Sequence, residues 1–147
     1  MKTVPKPCVC SNIRKVARVI TRVYDNALAE ANINGTQLSI MRAITRHPGE
    51  SMAQIANNLS MDRTTFYRSL QPLKKNGWIK IVKKEVGLAK TLVVTPAGEK
   101  VLADSSPLWD NLQITIIDSF GRRAWVKLVS ELDRLEACIP DLDRGKD

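Results

Sequence analysis

Residues 51–78 read SMAQIANNLSMDRTTFYRSLQPLKKNGW, and this stretch decides the fold. It contains two short helical patterns separated by a turn of three or four residues, which is the arrangement of a helix-turn-helix. The second helix of such a unit lies in the major groove of DNA. The stretch therefore predicts a unit that binds double-stranded DNA and reads its sequence.

Both helices of this unit have recognisable start signals. Ser51 followed by Gln54 fits a capping box, and Asp62 is a favourable N-cap for the second helix. Pro72 removes one hydrogen bond from the second helix, so we expect a bend there rather than a helix end. The helical spacing of apolar positions predicts an inward face made of Phe66, Leu70, Leu73 and Gly77.

The outward face of the second helix is polar and basic. Arg, Thr and Gln side chains can hydrogen-bond to base edges, whereas Lys side chains contact phosphates. An ordinary solvated helix also carries basic residues on its outer face. The flanking segments are therefore needed to distinguish a DNA-binding face from a face that only contacts water. The candidate DNA-binding residues of this unit are Ser51, Gln54, Arg63, Thr64, Thr65, Tyr67, Arg68, Gln71, Lys74 and Lys75.

The segment that follows predicts a β-hairpin, or wing. Residues 78–82 and 91–95 have strand composition, and Gly87 is a natural turn residue between them. A hairpin with three lysines, Lys83, Lys84 and Lys90, can lie along a phosphate backbone or enter a minor groove. Thr95 and Pro96 then have the character of a helix N-cap and first helical residue.

Helical patterns flank this region on both sides. We expect a first helix that is capped by Ser11 or Asn12 and ends near residues 34–35, and a second that is capped by Thr36 and stopped by residues 47–49. Beyond the wing, residues 96–118 predict a long helix, and a last helix follows Gly121 and ends before Pro140. Its apolar stripe comprises Trp125, Leu128, Val129, Leu132 and Leu135.

These flanking stripes carry more apolar surface than a small winged helix needs, and we therefore expect a homodimer. A two-fold dimer presents two reading helices about one DNA turn apart and so predicts a near-palindromic site. The expected organisation is a mainly α fold with a small wing. Its parts are a flexible tail over 1–10, dimerisation helices over 11–35 and 100–138, a winged helix-turn-helix over 36–99, and a tail over 139–147.

Charge follows the same division. The 147 residues carry a net charge of +8, and residues 51–100 alone hold nine basic and three acidic residues. Residues 101–147 hold six basic and nine acidic residues. A basic reading region supplies the electrostatic part of nucleic-acid affinity. The sequence shows neither a membrane-spanning run nor a signal peptide, so we expect a cytoplasmic protein that does not contact a membrane.

The order of elements and several motifs resemble the MarR family of bacterial transcription regulators. Shared patterns include residues 36–41 (TQLSIM), 52–56 (MAQIA), 61–68 (MDRTTFYR) and 94–98 (VTPAG), and the similarity covers roughly residues 11–138. The resemblance implies a dimeric repressor of nearby genes, often released by a small phenolic or lipophilic compound. Family wings usually carry an Asp-x-Arg pair. Here Val86 and Leu88 stand in those positions, so the lysines of the wing are expected to contact phosphates only.

A ligand pocket and a thiol switch are two ways in which such a regulator could respond. The candidate pocket residues are Ile20, Tyr24, Met41 and Trp109. Cys8, Cys10 and Cys138 are candidate redox residues, since nearby basic residues favour a thiolate. Three reduced thiols without a role are the alternative, and a soft metal on the Cys-x-Cys pair is another, although one histidine makes a zinc site weak.

An enzyme is not expected. The chain has one histidine, no glycine-rich phosphate loop and no metal-ligand cluster, so we expect no cofactor and no metal. A protein that coats DNA without reading its sequence remains an alternative. Outward Thr64, Thr65 and Gln71 argue against it, since such a protein has no need of side chains suited to base edges.

Overall fold

The computed structural model describes residues 6–83 and 90–139, and within these it has six α-helices and one β-hairpin. The elements in chain order are α1 (Val9–Leu28), a 3₁₀ turn (Ala29–Ala31), α2 (Gly35–Arg46), α3 (Met52–Asn58), α4 (Arg63–Lys75), β1 (Ile79–Lys83), β2 (Lys90–Val94), α5 (Pro96–Phe120) and α6 (Arg122–Cys138). The predicted mainly α winged helix-turn-helix is confirmed. Among these helices, none is long and apolar enough to cross a membrane.

The chain divides into two compact units between Trp109 and Asp110. The first unit contains α1 to α4, the hairpin and the beginning of α5. Its core is a single cluster of buried apolar side chains comprising Leu28, Ile33, Leu38, Ile40, Met41, Ala43, Ile44, Ile55, Ala56, Phe66, Leu70, Leu73, Ile79 and Leu92. The second unit contains the remainder of α5 and α6, joined at Gly121, whose φ of 97° falls in the region that glycine tolerates best.

The N-cap of α1 is Cys8, three or four residues before the predicted caps Ser11 and Asn12. The Cys8 carbonyl accepts hydrogen bonds from the backbone amide and the side-chain amide of Asn12, at 3.1 and 2.8 Å. Asn12 therefore lies inside the first turn and bonds backwards, so neither it nor Ser11 is the N-cap. The helix also ends early, at Leu28, because a 3₁₀ turn and Asn32 in the left-handed conformation (φ 55°) follow it.

The N-cap of α2 is Asn34, and the prediction of Thr36 was wrong. The Asn34 side-chain oxygen accepts from the Gln37 amide at 2.9 Å, and the Gln37 side chain accepts from the Asn34 amide at 3.0 Å, which completes a capping box. Gly35 is thus already helical, and its amide donates to the Asp25 carboxylate at 2.7 Å. This bond joins the end of α1 to the start of α2.

Helix α4 and the hairpin form nearly as predicted. The helix continues through Pro72 to Lys75. Gly77 is not part of its inward face, because it follows the helix with a φ of 71° and ends it. The two strands pair antiparallel with Ile79 opposite Val94 and Lys83 opposite Lys90. An isolated bridge between Ser51 and Thr91 adds the start of α3 to the edge of the hairpin.

Candidate nucleic-acid interface and ligand cavity

The two helices of the helix-turn-helix begin at the predicted caps. The Ser51 hydroxyl oxygen accepts from the Gln54 amide at 3.2 Å, and the Gln54 side chain accepts from the Ser51 amide at 2.8 Å. Asp62 accepts from the Thr65 amide at 2.9 Å. Hydrogen bonds from the Thr65 hydroxyl and then from its backbone amide lower the pKa of Asp62 below its usual value. A negative charge is therefore held at the positive end of α4.

A tight turn sets the angle between these helices. Ser60 adopts a left-handed conformation with φ 50°, and the Met61 amide donates to the Ala56 carbonyl at 2.9 Å. Beyond the turn, Phe66, Leu70 and Leu73 are each at most 1% exposed. Because these three side chains are buried, the orientation of α4 is fixed and its opposite face lies in solvent.

The predicted reading residues of α4 all lie on the exposed surface. They are Arg63, Thr64, Thr65, Tyr67, Arg68, Gln71, Lys74 and Lys75. Two of them already make contacts within the helix: the Thr65 hydroxyl donates to the Asp62 carboxylate, and the Gln71 amide nitrogen lies 3.4 Å from the Tyr67 carbonyl. The outward face thus combines side chains that suit bases with side chains that suit phosphates.

Ser51 and Gln54 were also predicted to contact DNA. In the structure they form the capping box of α3. Their oxygens accept backbone hydrogen bonds at the start of α3, and only Gln54 is fully exposed. The Gln54 amide nitrogen can still donate to a phosphate, as can the backbone amides of a helix start. Contact of both residues with DNA stays a prediction.

The hairpin places two of its three candidate lysines beside each other. Lys83 and Lys90 are opposite one another in the ladder and both are exposed. Lys84, like Val86 and Leu88, lies outside the described residues. The hairpin is held to the helix-turn-helix by Thr91, whose hydroxyl donates to the Glu50 carbonyl at 2.6 Å. Two basic side chains therefore lie at the end of the ladder that is farther from α4 and α5. The hairpin that carries them is attached to the residues just before α3.

A second feature of the first unit is a cavity of about 630 Å³. It is lined by residues of α1, of α2, of the turn between α3 and α4, and by Trp109. The Tyr24 and Trp109 ring centroids are 6.5 Å apart, and the Arg42 guanidinium lies 4.3 Å from the Trp109 ring centroid. Burial raises the pKa of Tyr24, and the positive charge of Arg42 opposes that shift. The volume is in the range of cavities that hold small molecules.

Three of the four predicted pocket residues line this cavity. Ile20, Tyr24 and Trp109 do so, whereas Met41 is fully buried in the core and does not. Met41 lies one position from Arg42 on α2, so the helix turns it inward, away from the lining face. The sequence analysis missed the polar lining residues Arg42, Arg46, His47 and Asn58. The spacing of Leu38, Arg42 and Arg46 at i, i+4 and i+8 was a signal that one face of α2 is partly basic.

The cysteines are free and exposed. Cys8 is the N-cap of α1, Cys10 lies in its first turn, and Cys138 is the last residue of α6. Hydrogen bonds from the backbone and then the hydroxyl of Ser11 lower the pKa of the Cys8 thiol, which favours the thiolate. Over the described part of the chain, no group of three or more His, Cys, Asp or Glu side chains is arranged to hold a metal ion.

Comparison with known proteins agrees with this geometry. A family described as winged helix-turn-helix DNA-binding matches residues 33–80. Among curated protein sequences, none matches the chain. Among solved structures, the transcriptional regulator MosR of M. tuberculosis in complex with DNA is 26% identical. The match covers 90% of this chain and 98% of MosR, with a TM-score of 0.77.

Two further structures share the fold at lower identity. A MarR family transcription regulator is 19% identical, with a TM-score of 0.73 over 90% of this chain and 88% of its own. The transcriptional repressor CouR bound to a 23-mer DNA duplex is 18% identical, with a TM-score of 0.80 over 88% of this chain and 92% of CouR. CouR has also been solved with p-coumaroyl-CoA bound.

Proposed function

We propose that the chain is a winged helix-turn-helix transcriptional regulator of the MarR family, which the match to a winged helix-turn-helix family and the similar solved regulators support, and that the exposed face of α4 reads the sequence of its operator. The observation that carries this proposal is the mixture of side chains on that face. Arg63, Arg68 and Gln71 are suited to base edges, while Lys74 and Lys75 near the end of the helix are suited to phosphates. In this proposal the chain acts by binding DNA and not by catalysis, which the names of the similar solved regulators support. Its proposed location is the cytoplasm.

We propose that the regulator acts as a homodimer, because apolar side chains of α1 and α6 remain exposed. Those of α1 recur at helical spacing and comprise Val9, Ile13, Val16, Val19, Ile20 and Val23, between 39% and 60% exposed. Those of α6 comprise Val126, Leu128, Val129 and Leu132, between 36% and 68% exposed. An exposed apolar stripe along a helix, as each of these two helices has, marks a protein interface. A second copy of the chain covers these stripes, and the two-fold axis of such a dimer predicts a near-palindromic operator.

A small molecule in the cavity is proposed to release the operator and end repression. The cavity is lined both by α2 and by Asn58, Leu59 and Met61, which lead directly into α4. A ligand there would touch the turn that sets the position of the reading helix. CouR, a repressor of the same fold, has been solved with a ligand and with DNA, and this likeness supports the proposal. The aromatic lining suits a lipophilic or phenolic compound.

The experiment that tests DNA reading is a fluorescence anisotropy titration at about 150 mM salt. It compares the DNA upstream of the protein's own gene with a shuffled duplex of equal length. We expect the native DNA to bind about a thousandfold more tightly, the lower end of what specific regulators achieve. Equal and steeply salt-dependent binding to both duplexes would indicate a protein that coats DNA.

Dimerisation is tested separately, by sedimentation velocity at micromolar concentration. We expect a mass twice the 16.4 kDa of the chain. The double variant Val16→Lys with Val23→Lys places charges on the proposed interface and is expected to sediment as a monomer with weakened operator binding. A wild-type protein that sediments as a monomer would refute the dimer while leaving DNA binding by single chains to be measured.

A thiol switch is a second candidate, favoured by the position of Cys8 and Cys10 at one exposed helix start. In this scheme hydrogen peroxide oxidises the Cys8 thiolate to a sulfenic acid and is reduced to hydroxide, and a second thiol then condenses with the sulfenic acid to form a disulfide and water. Titrations of operator DNA with and without peroxide test it. The double variant Cys8→Ser with Cys10→Ser should lose peroxide sensitivity, and Cys138→Ser shows whether the third thiol takes part. Unchanged sensitivity in the double variant would exclude the switch.

A further inference from the structure

Helix α1 carries a row of positive charges outside the helix-turn-helix and the hairpin. Arg14, Arg18 and Arg22 follow one another at four-residue spacing, Lys15 lies beside the first of them, and all four side chains are exposed. The first acidic residue of the chain is Asp25, and its carboxylate already accepts a hydrogen bond from the start of α2. The four basic residues, which we call the cationic face of α1, thus form a surface of one sign.

The cationic face has no ion pair among the described residues of the protein. Three basic residues of α5 and α6, Lys100, Arg122 and Arg134, each pair with a carboxylate three or four positions away. The first three residues of the cationic face have no acidic residue at such a spacing. Like charges at four-residue spacing repel each other and disfavour a helix. An anionic partner from outside the chain would relieve this repulsion.

The cationic face is directed away from the apolar stripe of the same helix. Val16 and Arg18 are two positions apart, as are Ile20 and Arg22, which places the members of each pair about 200° apart around the helix axis. The apolar stripe is the surface that the second copy of the chain covers in the proposed homodimer. A dimer formed in this way leaves the cationic face in solvent, where it is accessible to a third molecule.

The length and the side chains of the cationic face suit the phosphate backbone of DNA. Arg14 and Arg22 are eight positions apart, so the row extends about 12 Å along the helix. One strand of DNA carries a phosphate about every 3.4 Å along the duplex axis, so the row can face roughly three or four phosphates. Three of the four side chains are guanidinium groups, which bind phosphate oxygens through two parallel hydrogen bonds.

We propose that the cationic face of α1 is a second DNA-binding surface, which holds a further duplex by its phosphates while α4 reads the operator. The inference goes beyond the proposed function and rests on it only for the operator that occupies α4. Because phosphate contacts carry no sequence information, any duplex can serve as the second one. A regulator bound to its operator would therefore join two segments of DNA.

Capture of a second duplex by the operator-bound protein is the direct test. Operator DNA is fixed to beads, saturated with protein and washed, and a fluorescent shuffled duplex is added at about 50 mM salt, where phosphate contacts are strong. We expect the wild type to retain the shuffled duplex and beads without protein to retain none. A wild type that retains no duplex would overturn the inference. Retention of a poly-glutamate peptide without retention of the duplex would overturn it in favour of an acidic protein partner.

A triple variant tests whether the cationic face makes the capture. Arg14→Gln, Arg18→Gln and Arg22→Gln together remove three charges and keep side chains that favour a helix nearly as well as arginine does. We expect retention of the second duplex to fall by at least about tenfold, because three phosphate contacts are lost. Operator affinity should stay within about threefold of the wild type, a change that the lower net charge alone can cause.

A matched control removes the same charge from another surface. Arg122→Gln, Arg123→Gln and Lys127→Gln act at exposed positions of α6, and this triple variant should retain the second duplex as the wild type does. An equal fall in both triple variants would show that only net charge matters and would overturn the inference. A loss of operator affinity as large as the loss of capture would also overturn it, because the cationic face would then contact the operator itself.

The proposed function and this inference fail in different ways. If the wild type binds operator and shuffled DNA equally, sequence reading by α4 is wrong, yet protein held on the beads still decides whether a second duplex is captured. The single variant Arg18→Gln gives a check that does not depend on the triple variant. Loss of one phosphate contact should lower the slope of log affinity for the second duplex against log salt by about 1. An unchanged slope would contradict a phosphate contact at the centre of the cationic face.

Discussion

The Thr95 hydroxyl donates a hydrogen bond to the backbone carbonyl of Gly77, so the residue that caps α5 also holds the residue that ends the reading helix. The same oxygen accepts from the Gly98 amide at 3.1 Å, and the Thr95 amide donates to the Trp78 carbonyl at 2.9 Å. Four residues from two distant segments are thereby joined around one side chain. The end of α4, the hairpin and the start of α5 are consequently expected to unfold together.

Replacing Thr95 with valine keeps the shape of the side chain and removes both of its hydrogen bonds. We expect the free energy of unfolding to fall by about 1–2 kcal/mol, the usual loss for an N-cap. Chemical denaturation followed by circular dichroism measures it. Thr115→Val is the control, since that hydroxyl bonds only to the Asn111 carbonyl of its own helix. An equal decrease in the free energy of unfolding of both variants would mean that the Thr95 hydrogen bonds stabilise the protein no more than one hydroxyl bond within a helix.

Gly98 lies so close to the hairpin that an added methyl group would overlap the Trp78 carbonyl and the Val94 side chain. Gly98→Ala is therefore expected to destabilise the protein by about 1–3 kcal/mol, as overpacking does. The sign makes this a sharp test, because glycine to alanine inside a helix ordinarily stabilises by up to about 1 kcal/mol. A variant with a higher melting temperature than the wild type would show that the hairpin shifts to accommodate the methyl group without loss of stability.

Asp62 predicts a pH dependence. Its pKa is lowered in the folded protein by hydrogen bonds from Thr65, so its contribution to stability is present above the ordinary carboxyl value and is lost as the pH falls through the lowered one. The melting temperature of Asp62→Ala should lie below that of the wild type at pH 7, and the difference should shrink once the pH is below 3.8. Asp110→Ala, at an exposed position, should show little difference at either pH. A gap for Asp62→Ala that is constant with pH would contradict a charged cap.

Lys74, near the end of the reading helix, is expected to contact a phosphate. Lys74→Ala should weaken binding to operator and shuffled DNA by similar factors. It should also reduce the slope of log affinity against log salt by about 1, as expected for one lost phosphate contact. Titrations at several salt concentrations measure this slope. Lys100→Ala, whose side chain pairs with Asp104 at 3.4 Å, is the control. An unchanged slope for Lys74→Ala would remove this lysine from the interface.

Most of the fold was predictable because its signals are local. Ser51, Asp62 and Thr95 cap helices through bonds to residues three positions on, and such spacing is visible in the sequence. The N-cap of α2 was predicted wrongly because local signals alone do not distinguish two neighbouring cap residues. Asn34 and Thr36 are both good caps, and only the return bond from Gln37 and the bond from Gly35 to Asp25 select the first.

The cavity was only partly predictable because it is assembled from distant segments. Tyr24, Arg42, Asn58 and Trp109 come from four different helices. Periodicity predicts which face of its helix each residue occupies, but it does not predict which faces meet. Met41 shows the limit. It lies next to Arg42 in sequence, yet it belongs to the core while its neighbour lines the cavity.

Base reading by α4 is tested most directly by the affinity of Arg68→Ala for operator and for shuffled DNA. If Arg68 contacts a base, the variant should lose about 1–3 kcal/mol of binding free energy on the operator and much less on the shuffled duplex, so the ratio of the two affinities falls. Fluorescence anisotropy at one salt concentration measures both. A loss of equal size on the two duplexes would make Arg68 a phosphate contact and contradict sequence reading by this side chain.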